Sequence, residues 1–183
     1  GPDPIDTPRL LEILRRFEAR ATFFVIGERA AKFGEELEAI RAAGHEVANH
    51  TARHPSATFW CLGRTRIEEE IDQCGIETGN FRSPVGMKNF FVHPALTRRN
   101  LRLIGWTVRG LDTVSRDPDA VAKRILRRVR PGAILLLHEG CRTAVDPNFH
   151  PRCLERTLIA LTNLKYRCIL PRPEQLRSRA GEK

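Results

Sequence analysis

Ala133-Ile134-Leu135-Leu136-Leu137-His138 is an unbroken apolar run that follows the turn Pro131-Gly132 and ends on a histidine. A strand without polar alternation is buried on both faces, the situation of parallel sheets covered by helices. Ala21-Thr22-Phe23-Phe24-Val25-Ile26 reads the same way, and Glu46-Val47-Ala48-Asn49 is a shorter strand that delivers His50 at its end. Between such runs lie amphipathic stretches. The pattern places helices at 8–18, 29–43, 65–74, 93–99, 117–129 and 151–164. Thr7 is a cap with Pro8 at the first helical position, and Asp117-Pro118 repeats that signal. Further strands are expected at Phe81, over 101–108 and over 166–170.

Strand-helix alternation with apolar strands indicates an α/β fold whose parallel sheet is open or closed into a barrel. Chemistry in such folds collects at the C-terminal ends of strands. His50, Arg82, Arg109 with Asp112, and His138 all fall there. As a set they point to an active site. His50 and His54 are four residues apart, and a helical turn over 51–54 would put both imidazoles on one side. Two neutral imidazoles so placed can share a divalent metal ion, with a third ligand drawn from elsewhere. The alternative is a polar loop with two surface histidines.

The 183 residues make one domain, expected over 1–176 with a flexible tail at 177–183. No apolar run approaches the length of a membrane span. The net charge of +9, with arginine outnumbering lysine, favours anionic partners in general. The arginines are dispersed and aromatic residues do not interleave with them, so nucleic acid is not expected. The five cysteines, Cys61, Cys74, Cys141, Cys153 and Cys168, form no C-x-x-C pair. That usage favours a reducing, cytoplasmic setting. Gly1-Pro2 is not a natural start, so secretion stays open, and the sequence leaves the oligomeric state unknown.

Several segments, in order, resemble the polysaccharide deacetylases of the NodB-homology family, metal-dependent carbohydrate de-N-acetylases. Gly1-Pro2-Asp3-Pro4 is similar to the tail of the family's opening T-F-D-D-G-P motif. Gly44 to Pro55 is similar to the second motif, with its paired metal-binding histidines. Phe81-Arg82-Ser83-Pro84-Val85-Gly86 resembles R-x-P-x-G, Trp106 to Thr113 falls at D-x-x-D-W, and Leu136-Leu137-His138 matches the closing L-x-H.

The resemblance implies a distorted (β/α)7-type barrel and a hydrolase acting on an N-acetylated sugar or glycan. His50 and His54 would hold one divalent metal ion, zinc by default. Arg82 would orient a catalytic-base aspartate, and Val85 would offer its backbone N–H to the developing oxyanion. Asp112 would hold His138, the general acid, while Leu136 would line the pocket for the acetyl methyl group.

The family's paired aspartates lie immediately before the position of Gly1. The expectation is therefore a barrel missing its first strand, with activity impaired in this form. Arg109 replaces the first aspartate of D-x-x-D-W and leans towards an anionic substrate. The competing function is a non-catalytic glycan- or partner-binding pseudoenzyme of the same fold. Simpler structural roles stand beside the site assignment: His138 as a satisfied histidine at a strand end, Arg82 as a surface arginine, and Phe59 with Trp60 as a packed aromatic cluster in preference to the lining of a sugar-binding cleft. His45, His93 and His150 are read as structural or solvated.

Overall fold

The structure is a computed structural model that describes residues 1–140 and 146–176. The expected tail at 177–183 and Cys141 lie outside the described residues. In chain order the elements are α1 (Asp6–Arg16), β1 (Thr22–Val25), α2 (Gly27–Lys32), α3 (Gly34–Ala42), β2 (Glu46–Asn49), α4 (Arg64–Asp72), β3 (Asn80–Phe81), α5 (Val92–Thr97), β4 (Arg102–Leu103), β5 (Val108–Arg109), α6 (Pro118–Leu126), β6 (Leu135–Leu136) and α7 (Phe149–Asn163). Strands β1-β2-β3-β4 form one parallel sheet and β5-β6 a second parallel pair.

The register explains how distant residues meet. Val25 pairs with Asn49, Asn49 with Phe81 and Phe81 with Leu103, so these strands end level. His50 and Arg82 are the next residues of adjacent strands. In the second pair Arg109 faces Leu136, which brings the loop holding Asp112 beside His138.

Each sheet is covered by helices that bury one apolar stripe. Leu37 and Ile40 of α3 pack with Val25 and Val47. Ile67 and Ile71 of α4, with Ala95 and Leu96 of α5, enclose Phe59 and Phe81. Ile13 and Leu14 of α1 meet Leu158 and Leu161 of α7, and Val121 and Ile125 of α6 meet Val108 and Phe149. Among the described residues no helix is long and apolar enough to cross a membrane.

Several sequence expectations are corrected. Helix α1 starts at Asp6 and takes in Thr7, which therefore does not cap it; in the turn before the helix Asp3 Oδ1 accepts from Ile5 N and Asp6 N at 3.0 Å each. Thr7 is buried and its hydroxyl donates to Glu139 Oε2 at 2.7 Å. The helix expected over 29–43 is broken at Phe33 (φ −121°, ψ 57°) into α2 and α3. The strand expected over 101–108 is two short strands in different sheets, separated by an irregular stretch around Gly105-Trp106. The run Ala133 to Leu137 pairs regularly only at Leu135–Leu136. No strand forms over 166–170, although Arg20 N donates to Cys168 O at 2.9 Å. Apolar content set burial in these segments, but ladder length depends on partners that no local pattern reveals. The cap at Asp117 does form: its Oδ1 accepts from Asp119 N at 2.9 Å. Cys61, Cys74, Cys153 and Cys168 are free thiols.

The core assignment separates two phenylalanines cleanly. Phe81 is fully buried and Phe90 is 78% exposed. Phe81→Ala should destabilise the fold by about 3–5 kcal/mol, and Phe90→Ala should change it by less than about 0.5 kcal/mol. Urea denaturation of the two variants measures both; equal losses would contradict this packing.

Candidate active site

The loop after β2 is held from three sides. Asn49, buried, donates from Nδ2 to Ile71 O (2.8 Å) and accepts at Oδ1 from Thr51 N (2.9 Å). Gly27 N and Glu28 N, at the start of α2, donate to Thr51 O and Ala52 O at 3.0 Å each. Gly27 has no room for a side chain, because a Cβ there would lie 2.6 Å from Cys74 Cα. Ala52 N and Arg53 N donate to the Glu70 carbonyl and carboxylate at 2.7 and 3.0 Å. The expected helical turn over 51–54 does not form. Thr51 (φ 71°) and His54 (φ 57°) are left-handed, and His54 N donates to Thr51 Oγ1 at 3.0 Å. This knotted loop nonetheless brings the imidazoles of His50 and His54 together, with ring centroids 4.6 Å apart and planes at 65°.

His50 Nδ1 lies 2.7 Å from the Arg82 carbonyl oxygen. A carbonyl only accepts, so Nδ1 carries the proton and Nε2 keeps its lone pair, the arrangement of a metal-ligating histidine. Burial holds the His50 pKa down to about 3, reinforced by the nearby charges of His54 and Arg82. The His54 pKa is lowered for the same first reason, with His138 adding to it. Both rings are therefore neutral donors at neutral pH. Among the described residues no third histidine, cysteine or carboxylate joins them to make a three-ligand cluster. The pair fits two positions of a divalent-metal site.

Arg82 is not a surface arginine. It is 9% exposed, its Nε and Nη2 donate to Ile104 O (3.2 Å) and Gly105 O (3.0 Å), and its guanidinium lies 3.8 Å from the Phe24 ring centroid. Burial lowers its pKa to about 10, so it stays charged at neutral pH. No carboxylate of the described residues forms an ion pair with it. Two residues on, the Pro84–Gly86 turn puts Val85 at φ 48°, ψ 14°. A β-branched residue in that region is strained, and such strain concentrates at functional sites. Gly86 (φ 73°) is required beside it, since a Cβ would come within 2.3 Å of the Trp106 ring.

Across the site, buried Asp112 accepts from His138 N at 2.6 Å and from His138 Nδ1 at 3.0 Å. The carboxylate fixes both the backbone and the tautomer, leaving Nε2 free on a ring 40% exposed. Leu136 is buried just behind it, and Arg109, exposed at the end of β5, faces Leu136 in the ladder. Sequence reasoning overlooked Glu139. Its carboxyl accepts from Thr7, lies 3.9 Å from the Gly1 nitrogen, and is pushed up by burial. Its place next to His138 was the available signal. His150, read as structural or solvated, is buried at the start of α7, with Nδ1 3.2 Å from Asp6 Oδ2.

With this geometry established, the polysaccharide deacetylase family model matches residues 1–77. The chitooligosaccharide deacetylase of Sinorhizobium fredii is 32% identical over 173 residues, covering 90% of this chain and 80% of that protein. A peptidoglycan-N-acetylglucosamine deacetylase of Bacillus cereus is 29% identical over 150 residues, covering 75% of this chain and 52% of that protein. The family 4 carbohydrate esterase from Streptomyces lividans, solved in complex with acetate, superposes with a TM-score of 0.82 at 26% identity, covering 95% and 90% of the two chains. A CE4-family pseudoenzyme from Bacillus anthracis shares the fold at a TM-score of 0.78 and 24% identity, covering 92% and 60%. The fold and site thus define a parallel α/β domain with a paired-histidine loop at its strand ends. The chain belongs to the polysaccharide deacetylase family.

Two measurements test the site. In zinc titrations the chain should show weak uptake that His50→Ala and His54→Ala each reduce, since two ligands bind far less tightly than three. Equal uptake by all three would remove the metal assignment. The second concerns acid stability in the presence of a chelator. Between the ordinary histidine value of 6.5 and about 3, an unfolded chain takes up a proton at His50 that the folded chain does not. Stability is therefore fully present above that interval and falls as pH drops through it. His50→Gln should flatten part of the fall in urea midpoint between neutral pH and about pH 4.

Proposed function

We propose that the chain is a metal-dependent hydrolase that removes N-acetyl groups from an N-acetylated sugar or glycan. The observation that carries this reading is the juxtaposition of three built features at one end of the sheets. These are the neutral His50–His54 pair, the buried Arg82 with no carboxylate partner among the described residues, and His138 locked by Asp112. The names and substrates of the relatives support the substrate class.

His50 and His54 would hold one divalent ion, zinc being the default for such donors. Bound there, the ion would supply Lewis-acid polarisation of the amide carbonyl. The chain's own residues account for the rest. The Val85 N–H faces the developing oxyanion, and the strained turn fixes it in advance. Leu136 packs against the acetyl methyl group. His138, held through Nδ1, presents Nε2 to the leaving nitrogen and delivers a proton to it as the carbon–nitrogen bond breaks. Water supplies the hydroxyl that remains on acetate, and the sugar leaves as the free amine. The charge of Arg82 calls for an anionic partner, the role a base carboxylate would fill. Arg109 at the rim favours a substrate carrying negative charge nearby.

A second reading has its own observation. Among the described residues no three His, Cys, Asp or Glu side chains are grouped to hold a metal ion, which a glycan-binding member without catalysis would not need. Acetate release from N-acetylglucosamine oligomers and from peptidoglycan separates the two. The 183-residue chain should release little acetate. The same chain preceded by an apolar strand ending in two aspartates should release it, and its Asp112→Ala and His138→Ala variants should lose about a hundred- to ten-thousand-fold. Undiminished activity in either variant would overturn the roles of Asp112 and His138. A stable extended chain without acetate release would favour the binding protein.

A further inference from the structure

Of the nine large hydrophobic side chains exposed among the described residues, Trp60, Val85, Met87 and Phe90 belong to just two loops. Both loops continue directly from residues of the candidate site. The first continues directly from His54, with Phe59 N donating to Pro55 O at 2.8 Å. The second continues from Arg82 through the Pro84–Gly86 turn.

Within each loop the aromatic residues divide by role. Phe59 is fully buried against Phe81, while Trp60 beside it is 48% exposed. The expected packed cluster therefore holds for Phe59 alone. Phe91 packs on that core, and Phe90 lies outside it, with the two ring centroids 4.1 Å apart.

The two loops are joined by one side chain. Asn89 Nδ2 donates to Trp60 O at 3.0 Å and Leu62 O at 2.9 Å, and its Oδ1 accepts from Phe91 N at 3.0 Å. That amide is fully occupied by structure. The Trp60 indole N–H is turned back onto Ala57 O at 3.2 Å, so the ring's polar atom already has a protein partner. Fixed rings lose little freedom on binding.

We infer that Trp60 and Phe90 form a platform for a neighbouring sugar residue of the same glycan, next to the ring whose acetamido group enters the site. The identity of the ligand rests on the deacetylase reading. A pyranose presents C–H groups on its faces and hydroxyls at its edge, so it can cover an aromatic surface while its polar groups stay in water. Val85 and Met87, also exposed, lie in the same loop between Arg82 and Phe90. The local charge also fits a largely neutral ligand at this position. Arg53 and Arg64, bordering the first loop, are paired with Glu70 and Glu68, and Arg82 is buried, leaving Lys88 as the exposed unpaired cation of these segments among the described residues. An anionic lipid surface would be met by more unpaired cations than this.

Calorimetric titration of the chain with N-acetylglucosamine and with its tetramer tests the inference without requiring turnover. The tetramer should bind more tightly than the monomer. Trp60→Ala and Phe90→Ala should each weaken tetramer binding by about three- to tenfold and leave the monomer unchanged. Trp60→Tyr should retain most of the affinity. Asn89→Ala, which keeps both rings but unlinks the loops, should also weaken the tetramer selectively. Equal affinity for monomer and tetramer, or an unchanged tetramer affinity in the Trp60→Ala/Phe90→Ala double variant, would overturn the platform. So would a Trp60 fluorescence shift with phosphatidylglycerol vesicles but none with the tetramer, which would assign the patch to a lipid surface. Tetramer binding without acetate release would leave the platform standing while the catalytic reading failed; acetate release with no chain-length preference would do the reverse.

Discussion

The candidate site depends on one constraint: adjacent parallel strands must end in register. Backbone pairing of Asn49 with both Val25 and Phe81 aligns the ends of β1, β2 and β3. The hydrogen bond from Arg82 N to Asn49 O, at 2.9 Å, carries the alignment one residue further. Only then does the Arg82 carbonyl stand where His50 Nδ1 can donate to it. A slip of one residue would turn His50 to the other face and break that bond. The ring would lose its tautomer, and Arg82 would lose the aromatic wall of Phe24.

The second sheet uses the same device with side-chain help. Pairing of Arg109 with Leu136 places two loops side by side, and Asp112 then makes two hydrogen bonds to His138. The carboxylate is buried, so its two acceptor positions need partners, and a single histidine supplies both. Orientation of the ring is thus tied to satisfaction of a buried charge. Of the seven non-glycine residues with positive φ among the described residues, Thr51, His54, Val85 and Leu111 fall in these strand-end loops, while Glu18, Asn100 and Lys165 follow the ends of helices. The strain at Thr51 and His54 is offset by hydrogen bonds from Gly27 N to Thr51 O, from Glu28 N to Ala52 O and from His54 N to Thr51 Oγ1. Such concentration at one end of the fold matches the general link between strain and function.

The two aromatic loops add a different kind of organisation. Asn89 joins segments that carry, respectively, the metal-type histidines and the buried arginine. A change in one loop is therefore felt by the other. The surface that would meet the rest of a long ligand is built on the scaffold that positions the reacting end. Rigid support of this sort favours binding by a preformed surface.

Much of the site was legible in the sequence, for physical reasons that can be named. Unbroken apolar runs such as Ala133 to Leu137 required burial on both faces, and alternation with amphipathic helices required parallel strands, so residues following the runs had to gather at one end. That logic placed His50, Arg82, Asp112 and His138 together. It could not give the length of each ladder, because pairing depends on neighbours distant in sequence. Hence 101–108 divides and 166–170 forms no strand. Nor could it show that His50 and His54 meet through a left-handed loop, since that path is imposed by Gly27, Asn49 and Glu70 from three separate elements. The burial of Arg82, the exposure of Trp60 beside buried Phe59, and the Asn89 link are likewise decisions of tertiary structure. Each turns on which surfaces face one another once the helices have packed, and a residue's type does not carry that information.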